Sequence, residues 1–158
     1  MSFDIAQFRA ALGQFPTGVA VITAMDGGNR PLGITMSSFN SVSIDPPLVL
    51  FSLDRRALSL DAMQSASHFA VNVLSKEQRE LSNQFARARQ DKWENVEFET
   101  RDTGVPLLVG ALAHFECKPY AHYDGGDHVI FVGEVVNFTS SHHSVPLVFC
   151  RGQYAELA

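Results

Sequence analysis

Basic residues are scarce in this sequence and do not cluster. Its 158 residues contain 12 lysines and arginines against 17 aspartates and glutamates, and the net charge is −5. The longest basic run is the pair Arg55-Arg56. Nucleic acids and anionic membrane surfaces are bound through basic patches. We therefore expect no nucleic acid and no membrane surface among the partners of this protein.

Long apolar runs are missing as well. No stretch approaches the ~20 apolar residues that a transmembrane helix needs. The N-terminal stretch MSFDIAQFRAAL carries an early acidic residue and lacks the cationic region and apolar core of a secretory signal. These absences predict a cytoplasmic protein without a membrane-spanning segment.

Cysteine is also rare, and no dense pattern of metal ligands occurs. Cys117 and Cys150 each lie within an apolar segment, and we expect both to be reduced and buried. The histidines and aspartates between residues 122 and 143 match no zinc-ligand spacing. No G-x-S-x-G nucleophile motif and no glycine-rich nucleotide loop is present. The sequence thus predicts no metal site and favours neither a cysteine nor a serine nucleophile.

Short apolar segments separated by turn residues make up most of the chain. The content of 46% hydrophobic and 18% charged residues is typical of a globular protein. The pattern indicates about seven short strands and a few helices, which favours a barrel over a sandwich. Strands do not alternate with helices, so a parallel nucleotide-binding sheet is poorly supported. We predict one domain over residues 1–158, mainly β, with a β-barrel and peripheral helices.

Hydroxyl side chains are concentrated in the segment GITMSSFNSVS, residues 33–43. Thr35 and Ser37 are two residues apart and would share one face of a strand. A second segment, SLDRRALS, places Ser52, Arg55 and Ser59 where a strand leads into a short helix. Hydroxyls, backbone N–H groups and an arginine at a helix start are components of a phosphate site. Turn formation and capping by Ser59 explain the same residues, and both interpretations stay open here.

A carboxylate and an imidazole are adjacent in the segment GGDHVIFVGEV, residues 125–135. Two glycines precede Asp127 and His128, at the entrance of a predicted strand, from which both side chains can point into a cleft. The alternative interpretation is structural: Asp127 caps the turn, and His128 is half exposed at the strand end.

Four segments together carry a resemblance to a known family. They are FPTGVAVIT, GITMSSFNSVSIDPPLVLFSL, FAVNVLSKEQRELSNQFA and GDHVIFVGEV. In this order and at about this spacing, from about Phe8 to Tyr154, the chain resembles the short-chain flavin reductases. This family includes the reductase components of two-component flavin-dependent monooxygenases. The T-x-S-S-F run combined with the G-D-H triplet is its most specific part.

The resemblance implies an FMN-binding split barrel that is usually a homodimer. Members of the family use NADH or NADPH to reduce FMN or FAD, and they commonly release the reduced flavin to a separate oxygenase. The resemblance therefore implies a transient link to a flavin-dependent monooxygenase component.

Position by position, the resemblance also implies site residues. Contacts to the flavin ring and ribityl chain would come from Thr35, Met36, Ser37 and Ser38. Contacts near the ribityl and phosphate end would come from Ser52, Leu53, Arg55 and Ser59. Further cofactor-lining positions are Thr17, Asn72, Phe85 and Tyr154. His128 would meet the nicotinamide, with Asp127 beside it. Family members often have Phe where this chain has Trp93.

The hydroxyl-rich segment has a physical reason in such a site. Backbone N–H groups at its end can pair with the polar edge of an isoalloxazine and stabilise negative charge that forms on reduction. Hydride transfer itself is a positioning task, so His128 is interpreted as an orienting group and not as a general base. Two alternatives remain: a flavin carrier or sensor without catalysis, and an oxidase of the pyridoxamine-phosphate type, which would need more cationic residues.

Overall fold

The computed structural model of the chain describes residues 2–88 and 91–157. Its helices are α1 (Ile5–Leu12), α2 (Leu60–Ser65) and α3 (Arg79–Ala86), with a 3-10 helix at Lys76–Gln78. Its strands are β1 (Thr17–Gly18), β2 (Ala20–Met25), β3 (Pro31–Met36), β4 (Asn40–Ser43), β5 (Leu48–Asp54), β6 (Phe69–Val73), β7 (Phe98–Glu99), β8 (Leu107–Leu108), β9 (Ala113–Gly125), β10 (His128–Ser140), β11 (Val148–Cys150) and β12 (Gln153–Ala155).

The main sheet has seven strands in the order β3-β2-β6-β9-β10-β5-β4, and all its pairs are antiparallel. Its two edge strands, β3 and β4, follow each other in the chain and are joined by residues 37–39 alone. The sheet therefore curls until its edges lie side by side, but β3 and β4 do not pair with each other. The fold is a barrel with one open seam, which confirms the predicted mainly β split barrel with peripheral helices.

The barrel core explains which side chains face the seam. Phe51 and Leu53 of β5 are buried in the main cluster, where Phe51 stacks on Phe131 of β10 at 4.8 Å between ring centroids. Because successive strand residues point to opposite faces, Ser52 and Asp54 lie on the other face of β5. The hydrophobic pattern of β5 thus directs its polar residues away from the core.

Helix α3 packs against β3 from outside the barrel. It follows the capping box that Ser75 and Gln78 predict, in which the Ser75 N–H donates to Gln78 Oε1 at 3.0 Å. The ring of Phe85 lies fully buried against Gly33, where an added Cβ would come within 2.5 Å of the ring. Gly33 therefore serves the packing of this helix, since any larger residue would displace the ring.

A small sheet of β1, β11 and β12 brings the two chain ends together, with Phe149 opposite both Thr17 and Tyr154. In the described part of the chain, no helix has both the length and the apolar character needed to cross a membrane.

Candidate functional site

A cleft of about 270 Å³ opens where β3 leaves the main sheet. It is lined by the end of β3, the first residues of the seam, the end of β5 and the first residue of β10. The lining residues are Ile34, Thr35, Met36, Ser37, Ser38, Ser52, Leu53, Asp54 and His128. Residues predicted from two separate hydroxyl-rich segments and from the G-D-H triplet therefore meet in one place.

Ser38 links residues 37–39, the segment that crosses the open seam between β3 and β4, to strand β5. Its hydroxyl accepts a hydrogen bond from the Ser52 N–H at 3.0 Å and donates to the Ser52 carbonyl at 3.1 Å. The Ser38 side chain thus pairs with both the N–H and the carbonyl of Ser52. At this position β4 no longer pairs with β5. The Ser38 hydroxyl therefore holds the seam segment against β5 in the wall of the cleft.

Ser37, in contrast, is available for binding. Its side chain is exposed and makes no hydrogen bond to another described residue. The backbone N–H groups of Ser37 and Ser38 likewise donate to no other described residue, because the ladder of β3 ends at Met36. The seam therefore offers two backbone donors and one free hydroxyl to a ligand in the cleft.

Thr35 is held by a chain of hydrogen bonds that runs away from the cleft. Its hydroxyl donates to the Ser82 carbonyl at 2.6 Å, and the Ser82 hydroxyl lies 2.6 Å from the Tyr154 hydroxyl. Tyr154 donates to Asn83 Oδ1 at 2.8 Å. An amide oxygen only accepts, so Ser82 must donate to Tyr154. This chain ties β12, α3 and the cleft strand β3 together.

Two lining residues were not predicted from the sequence, Ile34 and Asp54. Asp54 accepts from the Arg56 side chain at 3.0 Å and from the Arg56 N–H at 2.7 Å. These hydrogen bonds, the side-chain one first, lower the pKa of Asp54 to about 2. The sequence does contain a signal for Asp54. Asp54 lies two residues after Ser52, and residues two apart in a strand share one face. Leu53 is buried in the core, so it lines the cleft with its backbone.

His128 is oriented by its neighbour. Its Nδ1 lies 2.7 Å from Asp127 Oδ1. An ionised carboxylate only accepts hydrogen bonds, so Nδ1 donates and Nε2 of the neutral ring is left as an acceptor. The His128 side chain is 41% exposed and lines the cleft, whereas that of Asp127 is 88% exposed and points outward. The pair therefore leaves Nε2 of His128, a residue that lines the cleft, without a hydrogen bond to another described residue.

Two of the predicted cofactor-lining residues, Asn72 and Phe85, are fully buried and are not among the residues that line the cleft. Asn72 is fully buried, donates to the Val21 carbonyl and to Thr23 Oγ1 at 3.0 Å each, and accepts from the Leu108 N–H at 2.9 Å. Its amide joins the barrel to β8. Phe85 is fully buried in a second core cluster.

Besides Asp127, four other predicted residues are not among those that line the cleft. The Thr17 hydroxyl is buried without a hydrogen-bond partner among the described residues. Ser59 stands at the start of α2 but makes no capping bond with its side chain. The Tyr154 hydroxyl is committed to α3, as described above. Arg55 turns its guanidinium toward the β9–β10 turn.

Cysteine chemistry plays no part in the site. Cys117 is buried, and burial, together with the Glu116 charge, raises the pKa of its thiol to about 12. The prediction that Cys117 is buried is confirmed, whereas Cys150 is only partly buried. In the described ranges, no group of three histidine, cysteine or acidic side chains is arranged to hold a metal ion.

Comparison with known proteins places this geometry in context. A family model described as "Flavin reductase like domain" matches residues 12–158. "Stachydrine N-demethylase reductase subunit Stc3" of Rhizobium meliloti is 42% identical over 152 residues, which cover 96% of this chain and 66% of that protein. "FMN reductase (NADH) SmoA" of Agrobacterium fabrum is 43% identical over 151 residues, which cover 96% of this chain and 85% of that protein.

A solved structure is also closely similar. "NADH:FAD oxidoreductase SgcE6" of Streptomyces globisporus, in complex with NAD and FAD fragments, superposes with a TM-score of 0.93 at 37% identity. The match covers 98% of this chain and 93% of that one. The chain spans 66% of the length of Stc3, and 49% of a "Probable flavin reductase" of Rhizobium meliloti that is 41% identical.

Proposed function

The chain belongs to the family of flavin reductase like domains, and on that basis we propose that it transfers hydride from NADH or NADPH to FMN or FAD. We propose further that it acts as a single domain and supplies reduced flavin to a separate flavin-dependent monooxygenase component. The observation that carries the proposal is the cleft itself, which is lined both by Ser37 and Ser38, with their unpaired backbone donors, and by His128, whose Nε2 bonds no other described residue.

The residues of the cleft fit a flavin. Short hydroxyl side chains at Ser37 and Ser52 let a planar ring approach the backbone, and the N–H groups of Ser37 and Ser38 are free to donate. When bound, the flavin supplies the acceptor for a hydride. Backbone donors held in place before the reaction stabilise negative charge without reorganising. Thr35 and Ser38 keep those donors in position through their bonds to Ser82 and Ser52.

His128 has the role of orienting the dinucleotide. Its Nε2 accepts a hydrogen bond, and the carboxamide of a nicotinamide carries a matching N–H₂ donor. Hydride transfer needs the two reacting atoms held in contact and requires no protein acid or nucleophile. Asp127 keeps the imidazole in the tautomer that this role demands. NADH is the coenzyme named for both SmoA and SgcE6, and we favour it here.

We also propose that the protein is a homodimer. No residue of α1 is buried, although Ile5, Phe8 and Leu12 recur at helical spacing. These three apolar side chains are 47–58% exposed. An apolar helix face without a partner is typical of an interaction surface, and a second copy agrees with the usual state of the family. Light scattering should report a dimer, and Phe8→Asp should shift the mass toward a monomer.

Steady-state oxidation of NADH with FMN, FAD and riboflavin in turn tests the activity. We expect turnover that depends on added flavin. A flavin carrier or sensor, the alternative function, would bind flavin but leave NADH unconsumed, and that result would overturn the proposal. In the active protein, His128→Ala should raise the KM for NADH while the flavin Kd changes little. An equal loss of flavin affinity would contradict the role given to His128.

A further inference from the structure

Arg55 makes three hydrogen bonds to residues 124–127, which precede His128 in the β9–β10 hairpin. Its Nε donates to the Gly126 carbonyl at 2.8 Å, and its Nη2 pairs with Asp124 Oδ1. Its backbone N–H donates to the Asp127 carbonyl at 2.9 Å. One arginine just after β5 therefore contacts one residue near the end of β9 and both residues of the turn between β9 and β10.

The backbone of this turn can adopt many conformations, so contacts from outside the turn are needed to fix one of them. Gly125 and Gly126 form it together with Asp127, and Gly126 has a φ of +77°. Glycine populates many backbone conformations, so two successive glycines restrain the following residue weakly. A planar guanidinium fixes two acceptors at once in a defined orientation. The three contacts of Arg55 thus compensate for the flexibility that the glycines introduce.

We propose that Arg55 is a positioning residue that sets the orientation of His128, and that it is not a ligand of a flavin phosphate. Its Nε–Nη2 edge, one of the two edges that pair bidentately with a phosphate, is already engaged by the turn. Arg55 also lies outside the lining of the cleft, whereas His128 lies in it. The inference rests on the proposed function, since it assigns Arg55 to the dinucleotide half of the site.

Arg55→Ala tests this role, with Arg30→Ala as a matched control. Arg30 also bonds an aspartate at a hairpin, through Nε to Asp26 Oδ2 at 3.1 Å, but its turn carries no cleft residue. Arg55→Ala removes the two guanidinium contacts and keeps the backbone N–H bond to Asp127. Loss of the guanidinium contacts should raise the KM for NADH roughly tenfold and leave the flavin Kd within about twofold, as expected when one positioned hydrogen bond is lost. Arg30→Ala should change neither quantity.

Two further measurements separate positioning from general damage. Hydrogen–deuterium exchange of residues 125–128 should accelerate in Arg55→Ala with no ligand present, while exchange in the β2–β3 hairpin stays unchanged. In a His128→Ala background, Arg55→Ala should add no further increase in KM, because its effect passes through His128. Asp124→Asn keeps the shape of the pair and should give a smaller increase in the same KM, which provides a second variant if Arg55→Ala folds poorly.

A large rise in the flavin Kd of Arg55→Ala with an unchanged KM for NADH would overturn the inference and make Arg55 a flavin ligand. Additive effects of Arg55→Ala and His128→Ala would overturn it as well. A wild-type protein that consumes no NADH would refute the proposed function. The exchange measurement would still report whether Arg55 orders the turn, so the two failures are distinguishable.

Discussion

Removal of the Ser38 hydroxyl should weaken both the fold and the cleft. Ser38→Ala breaks two hydrogen bonds, to the Ser52 N–H at 3.0 Å and to its carbonyl at 3.1 Å. A net intramolecular hydrogen bond contributes about 1 kcal/mol. Water can enter this half-buried position and limits the further cost. We expect the free energy of unfolding to fall by about 2 kcal/mol, well within the ~5–15 kcal/mol of a typical domain.

Thermal and urea unfolding followed by circular dichroism measure this loss. For a domain of this size, 2 kcal/mol corresponds to a decrease in Tm of about 4–8 °C. The flavin Kd should rise as well, because the seam backbone that presents the N–H groups is no longer held to β5. Fluorescence titration with FMN and FAD reports that second effect independently of turnover.

The neighbouring residue provides the control. Ser37→Ala is the same substitution one position earlier, and its hydroxyl bonds no other described residue. Exposed positions without partners change stability by about 0.5 kcal/mol or less. If Ser37→Ala and Ser38→Ala unfold at the same temperature, the hydrogen bonds between Ser38 and Ser52 do not contribute to stability. The interpretation of the seam would then be wrong.

Three other predictions concern the surroundings of the cleft. Gly33→Ala should destabilise the protein by about 1–3 kcal/mol in urea unfolding, since its Cβ would meet the Phe85 ring at 2.5 Å; an unchanged midpoint would contradict this packing. Asn72→Ala should cost about 3 kcal/mol or more because it leaves buried backbone groups unpaired, yet the flavin Kd of the folded fraction should be unaltered. Hydrogen bonds from Arg56 lower the pKa of Asp54 from 3.8 to about 2. The stabilisation of the fold by this pair is therefore complete above pH 3.8 and disappears as the pH falls through 2. Asp54→Asn should therefore reduce the pH dependence of stability between those values, and an unchanged profile would refute the assignment.

The hydroxyl-rich segment and the G-D-H triplet could be read from the sequence because each is local. Thr35, Ser37 and Ser38 are neighbours in the chain, and their clustering indicates a binding edge without knowledge of the fold. The resemblance then linked that edge to His128, some ninety residues further along the chain. The cleft of the structure contains all four, so this part of the site was predictable.

Several of the predicted residues that do not line the cleft have structural partners far away in the chain. Asn72 and Phe85 have polar or aromatic side chains suited to a ligand, but Asn72 bonds Leu108 and Phe85 packs on Gly33, across the barrel wall. Arg55 follows the same logic, since its acceptors lie 69 and 71 residues away. A local sequence pattern indicates which contacts a side chain is able to make. It does not indicate which protein groups the side chain already contacts in the fold.

The sequence by itself determined the strand pattern, the polar edge and the residue types of the chemistry, because periodicity and composition act over a few residues. Only the tertiary structure decided which of those polar groups remain free. The edge strands β3 and β4 meet without pairing, so the seam keeps backbone donors that a closed barrel would have consumed. That outcome depends on how far the whole sheet curls, which is a property of all seven strands together.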